Sequence, residues 1–161
     1  MPSPAAGSES VPEQLARLLR RYRTAMSEAL ADGGYRPLMP AANWLLIAVA
    51  RQPGTVNELA GRLGLTKQAV SRLTERLVVL GYCDRRRGEV NRRQVMLSVT
   101  DAGAGAAAAL LAGIAAADEA TLGPLGEAER VTFQRVLAAV AKVSEMPDAR
   151  GQGPETAGEP D

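Results

Sequence analysis

Residues 65–73 read Leu-Thr-Lys-Gln-Ala-Val-Ser-Arg-Leu (LTKQAVSRL), and this short stretch decides the fold. Thr66 is a good helix N-cap, since its hydroxyl can accept one of the orphan N–H groups of the first turn. With side chains advancing about 100° per residue, Lys67, Gln68, Ser71 and Arg72 share one face, while Val70, Leu73, Leu77 and Leu80 fall opposite. The helix therefore has a narrow core-facing edge and a polar face gathered in its first two turns. On an isolated helix such a face is simply a solvated one, so the neighbouring sequence has to decide.

Working outward toward the N-terminus, Gly64 closes the preceding turn, where glycine readily takes positive φ at a helix end. Before it, Thr55-Val56-Asn57-Glu58 is a capping box that opens a helix running to about Leu63. Two short helices joined at Gly64 form a helix-turn-helix pattern, in which the second helix offers its N-terminal side chains to base edges. Arg and Lys suit guanine, Gln suits adenine, and short hydroxyls reach bases or phosphates. Toward the C-terminus the helix of Thr66 runs to Leu80 and stops at Gly81. Tyr82–Arg87 follows, then a glycine-containing turn at 88–91, then Arg92–Val99. In the last of these Val95, Leu97 and Val99 alternate with Gln94, Met96 and Ser98, the period of a half-buried strand. This is a β-hairpin, and "DRRRGEVNRR" (84–93) places five arginines against two acids around its tip. An arginine in a narrow minor groove and others on phosphates fit such a hairpin. Arginines that keep an exposed strand edge soluble fit it too, and Arg92 or Arg93 is expected to have a structural role.

The flanks are helical. Val11–Leu30 carries Leu15, Leu18, Leu19, Tyr22 and Met26 at helical spacing and breaks at Gly33-Gly34. Ala41–Arg51 reads as a buried helix closed by Pro53-Gly54. Thr100 caps an alanine- and glycine-rich helix over Asp101–Leu122, whose small residues permit close helix contact, and a last helix spans roughly Gly126–Ser144. Residues 1–10 and 147–161 are rich in Pro, Gly, Ser, Ala and Glu and are expected to be disordered tails. The fold class expected is mainly α with a small β-wing. One domain of residues 11–146 is expected, with its winged helix-turn-helix at about 40–100 and flanking helices at about 11–30 and 101–144.

Composition narrows the function. The 161 residues contain no histidine and one cysteine, Cys83. Ser-His-Asp and Cys-His nucleophiles, the common zinc sites and an intrachain disulfide are therefore absent. The carboxylate pairs Asp118-Glu119 and Glu127/Glu129 fall on surface helices. No enzyme activity, cofactor or metal is expected. The longest apolar runs, such as Trp44–Ala50, are too short to cross a bilayer, and the N-terminus lacks a basic region followed by an apolar block. A cytoplasmic protein without a membrane partner is expected. The net charge of +1 hides an uneven distribution: Arg51–Arg93 holds ten basic and four acidic residues, so it carries +6 and the remainder −5. A basic middle between acidic flanks suits a polyanion.

The stretch "PGTVNELAGRLGLTKQAVSRLTERLVVLGYCDRRRGEVNRRQVMLSVTDAG" (53–103) resembles the winged-helix core of the MarR family of bacterial transcriptional regulators. The resemblance rests on Glu58-Leu59-Ala60, Leu65-Thr66, Val70-Ser71-Arg72-Leu73, Leu80-Gly81-Tyr82, Arg92-Arg93 and Leu97-Ser98-Val99-Thr100-Asp101-Ala102-Gly103, about a third of the chain. Asn91 departs from it, standing where the family's wing carries Asp before the two arginines. The resemblance implies a homodimer held by the first and last helices, whose two winged helices meet a pseudo-palindromic double-stranded operator. It also implies a repressor released by a small, often phenolic or aromatic effector. The expected DNA-binding residues are Thr66, Lys67, Gln68, Ser71, Arg72 and Arg76 on the helix, and Arg85, Arg86, Arg87, Arg92 and Arg93 on the wing. The candidate effector-binding residues are Tyr22, Met26, Tyr35 and Trp44, each of which plain core packing would also explain. Cys83 does not match the N-terminal cysteine of oxidant-sensing relatives and is expected to be a packed, inert thiol. Three alternatives stay open: a Cys83-based redox regulator, a winged-helix module that docks an acidic protein, and a carboxylate enzyme.

Overall fold

The computed structural model describes residues 9–87 and 95–143. The chain divides into two compact units, Met1–Thr121 and Leu122–Asp161. In order, the elements are α1 (Val11–Asp32), α2 (Pro40–Arg51), α3 (Val56–Leu63), α4 (Lys67–Val79), β1 (Cys83–Arg87), β2 (Val95–Val99), α5 (Asp101–Leu122) and α6 (Glu127–Val143). The fold is mainly α with a two-stranded antiparallel wing, as expected.

Local chemistry explains the helix boundaries. At α1 the cap lies inside the stretch expected to be a tail. The Ser10 amide and hydroxyl both donate to the Glu13 carboxylate at 2.7 Å, and Glu9 pairs with Arg17 at 2.9 Å. The tail reading thus fails at Glu9 and Ser10, because Ser-x-x-Glu before an apolar periodic run is itself a helix-start signal. At α3 the capping box forms as read: the Thr55 amide donates to Glu58 at 2.7 Å and the Glu58 amide donates to the Thr55 hydroxyl at 3.3 Å. Gly64 adopts φ 62°, which an L side chain would strain. That single residue lets the chain leave α3 and start α4 within three positions. Thr66 caps α4 by accepting the Ala69 amide at 3.2 Å.

The core is aliphatic. Leu45, Leu46 and Val49 of α2, Leu59 of α3, Val70 and Leu77 of α4 and Leu110 of α5 lose all contact with solvent, and such burial contributes about 1.5–3 kcal/mol per side chain. One face of α2 departs from the expectation of a buried helix, since Trp44 is 48% exposed. The helix is covered on all sides but this one.

Cys83 pairs with Val99, Arg85 with Leu97 and Arg87 with Val95 across the wing. Residues 88–94, which include the expected tip and the first part of the expected strand Arg92–Val99, lie outside the described residues. The alternation read for β2 is weak, with Met96, Ser98 and Val99 all partly buried around Leu97. Leu97 is buried and Val99 partly so, but Val95 is exposed, because the body of the protein covers the wing only near its root. Gly54, in the α2–α3 connection, adds a one-residue bridge on the other side of β2, with amide–carbonyl bonds to Leu97 of 2.9 and 3.2 Å.

The base of the wing is locked onto α5. The Thr100 hydroxyl donates to the Gly81 carbonyl at 2.6 Å and accepts the Gly103 amide at 3.0 Å. A Cβ at position 103 would sit inside the Tyr82 carbonyl, so only glycine lets α5 start there. Farther along, Gly113 lies against the Ala25 carbonyl and the Ala29 methyl, the close helix contact that small residues were expected to permit. By length and composition α5 is apolar enough to cross a membrane, with mean hydropathy 1.3. The expectation that every apolar run is too short to span a bilayer therefore does not hold for α5 by this measure, because its many alanines raise its hydropathy without forming one long run of large apolar residues. Its Gly103, Ala106, Ala107, Leu110, Gly113 and Ala117 are buried within the protein.

In the second unit, α6 begins where the Gly126 amide donates to Glu129 at 2.8 Å. Arg130 ties the preceding turn by donating to the carbonyls of Gly123 at 2.8 Å and Leu125 at 3.1 Å. Val131, Val136, Leu137 and Val140 of this helix are exposed.

Candidate nucleic-acid interface

The outer face of α4 is built from the residues that its core-facing edge leaves over. With Val70, Leu73, Thr74 and Leu77 buried, Lys67, Gln68, Arg72 and Arg76 are exposed and Ser71 is half-buried beside them. Among the described residues no ion pair engages Lys67, Arg72 or Arg76. Thr66 is exposed, but its hydroxyl is committed to the cap. The positive end of the α4 dipole adds to the charge of Lys67 at the same place.

On the wing, Arg85 and Arg86 are exposed, and Arg86 approaches Asp84 of the same strand at 4.0 Å. Both side chains of that pair are more than half exposed, so it is worth little. Arg87 closes β1, with its side chain outside the described residues, as are Arg92, Arg93 and Asn91. The described part of the candidate surface thus consists of a cationic first half of α4 and the arginines of β1, joined through the turn at Gly81.

One feature of this region, the role of Arg62, has no signal in the sequence. Arg62 is one of the ten basic residues between Arg51 and Arg93, and it donates to the Gln52 carbonyl at 2.8 Å and to the Pro53 carbonyl at 3.4 Å. Glu58 is held below the usual carboxylate range, first by the Thr55 amide, then by the Thr55 hydroxyl, with Arg62 adding a smaller attraction. The capping box read from the sequence accounts for Glu58; nothing in the sequence marks Arg62.

The four candidate effector residues have separate surroundings. Met26 is in the core at 2% exposure. Tyr22 reaches from α1 to α5, donating to Asp118 at 2.5 Å. Burial first, then the hydrogen bond to Asp118 and its negative charge, push the Tyr22 phenol up to about 12. Tyr35 stands edge-on to Tyr82, with centroids 6.2 Å apart, and its hydroxyl covers Gly105. Trp44 stands on the open side of α2. A groove of about 390 Å³ runs between α1 and α5, floored by Ala25, Ala116, Ala117 and Ala120 and edged by Arg20 and Arg21; none of the four lines it. Cys83 is buried, and desolvation followed by the neighbouring Asp84 charge pushes its thiol up to about 12. A thiolate at neutral pH is the reactive species, and this site suppresses it.

Residues 40–94 match the model of the MarR family. No curated protein matches the chain. Among solved structures, the YusO protein of Bacillus subtilis is 25% identical and superposes with a TM-score of 0.57, over 83% of this chain and 99% of its own. The PcaV transcriptional regulator of Streptomyces coelicolor, solved with its natural ligand, is 24% identical with a TM-score of 0.63, over 88% and 100%. BpsR of Bordetella bronchiseptica, whose DNA binding is regulated by 6-hydroxynicotinic acid, is 20% identical with a TM-score of 0.63, over 90% and 100%. Residues 40–94 thus carry the sequence of the MarR family, and the chain shares along most of its length the fold of that family's winged-helix regulators.

Proposed function

We propose that the protein is a sequence-specific, double-stranded-DNA-binding transcriptional regulator of the cytoplasm. It acts as a homodimer on a pseudo-palindromic operator and represses until a small aromatic or phenolic effector releases it. The observation that carries this reading is the exposed cluster of Lys67, Gln68 and Arg72 in the first two turns of α4, which no ion pair engages among the described residues. That is the part of a second helix-turn-helix element that enters a major groove. In this reading Gln68 and Arg72 read bases, Thr66, Lys67, Ser71 and Arg76 support them, and Arg85, Arg86, Arg87, Arg92 and Arg93 grip the backbone or minor groove.

Dimerisation is supported by apolar side chains left open at both ends of the chain: Val11, Leu15 and Leu19 on α1, and Val131, Val136, Leu137 and Val140 on α6. A two-fold axis supplies the two half-sites that a palindrome requires. The effector class is supported by PcaV and BpsR, whose ligands act on proteins of the same fold; Tyr22, Met26, Tyr35 and Trp44 are the residues proposed to meet it. The test is fluorescence anisotropy on a labelled duplex of the chain's own upstream region against random duplex, across a salt series. Specific binding at least 10³-fold tighter than random binding is expected. Equal affinity for both duplexes, or none at low salt, would overturn the reading.

A further inference from the structure

Arg62, Gly54, Leu97 and Arg85 are linked by successive contacts that run from α3 through the α2–α3 connection to β2 and then β1. The Arg62 guanidinium, on α3, donates to the carbonyls of Gln52 and Pro53. The next residue, Gly54, exchanges both backbone hydrogen bonds with Leu97 of β2, at 2.9 and 3.2 Å. Leu97 is in turn the register partner of Arg85 on β1. Gly54 is buried, and a Cβ there would collide with the Arg62 guanidinium itself. The connection between α2 and α3 is therefore held between an arginine fork on one side and the wing on the other.

We propose that Arg62 is a positioning residue for the wing, setting the angle at which Arg85 and the rest of the hairpin are held relative to α4. The proposal rests on the DNA-binding reading above, but its mechanical part does not. A planar fork that bonds two successive carbonyls fixes their direction, and the Pro53 carbonyl lies in the same peptide plane as the Gly54 amide that pairs with Leu97, so that amide is aimed as well. Without the fork, the backbone bridge between the α2–α3 connection and β2 would be held only by its own pair of hydrogen bonds at Gly54 and Leu97, and an isolated pair of β hydrogen bonds is a weak hinge. Arg62 then contributes to DNA affinity without touching DNA.

The test uses R62A, and G54A, which displaces the guanidinium while leaving its charge in place. Amide hydrogen exchange and hydroxyl-radical footprinting are measured on both. Exchange at Leu97 at least tenfold faster than in the parent protein is expected. So is loss of the minor-groove protection beside each major-groove contact, at unchanged protection by α4 itself. The salt slope should fall by about 2 per dimer as each wing gives up roughly one phosphate contact. If R62A does not fold, R62K, which keeps the charge but cannot span two carbonyls, replaces it. Parent-like Leu97 exchange with an intact wing footprint overturns the proposal. Weaker binding by R62A alone, with the footprint kept and G54A normal, also overturns it and makes Arg62 a direct phosphate contact. If the parent protein leaves no footprint on any duplex, the functional reading fails, and Leu97 exchange alone decides the clamp.

Discussion

The Tyr82 hydroxyl accepts the amide N–H of Arg36 at 2.7 Å, joining the start of the wing to the α1–α2 connection across 46 positions of sequence. Tyr82 is 4% exposed, and its carbonyl also accepts the Thr100 amide at 3.1 Å. One residue thus fastens α1, the wing and α5 together. In Y82F the Arg36 amide loses its partner while the ring stays packed. A loss of about 1 kcal/mol in urea unfolding followed by circular dichroism is expected. No change would mean that water replaces the hydroxyl.

Gly103 carries a steeper prediction. A methyl group there meets backbone, which cannot rotate away, so G103A should cost about 3 kcal/mol, the upper end for overpacking. For a chain of this size that lowers Tm by roughly 6–12 °C in calorimetry. A shift under a degree would show that α5 can slide along Tyr82.

On α4, R72A should lose about 1–3 kcal/mol on the specific operator and relax its preference at one base pair per half-site. Anisotropy against operator variants and random duplex separates the roles. An equal loss on both would make Arg72 a backbone contact.

Tyr22 gives the protein an alkaline limit. Its phenol ionises at about 12 in the folded chain against an ordinary value of 10.0. A raised pKa means that the stability it contributes is fully present below pH 10 and is lost as pH rises through about 12. Spectrophotometric titration of the folded protein should show a late-ionising tyrosine that Y22F removes. A final tyrosine step that persists in Y22F would assign it to another residue.

The legible parts of the fold were those whose signal is local. Thr55 and Thr66 as caps, Gly64 as the turn and the polar arc of α4 follow from spacing within a few residues. The contacts that hold the wing in place are long-range and have no period. A single bridging residue such as Gly54 looks like any turn glycine, and Arg62 looks like surface charge until its carbonyl partners are seen. Tyr82, Thr100 and Gly103 were legible as a pattern of residues but not as a joint, since the pattern does not say that α5 starts on the Tyr82 carbonyl. Trp44 was misjudged for a related reason: an apolar run suggests burial all round, whereas a helix at the edge of a core leaves one side open. The candidate site was legible on α4, where exposure follows from helical period. It was least so on α1 and α2, where an aromatic residue serves core and pocket equally.

Trp44 is the chain's single tryptophan, and it sits half-open on α2. The protein therefore comes with its own unlabelled optical reporter. Emission from that indole should shift to the blue when something dry settles over that side of α2 and stay put when a molecule lodges elsewhere, so a spectrum taken during titration says where an added compound has gone as well as whether it has bound.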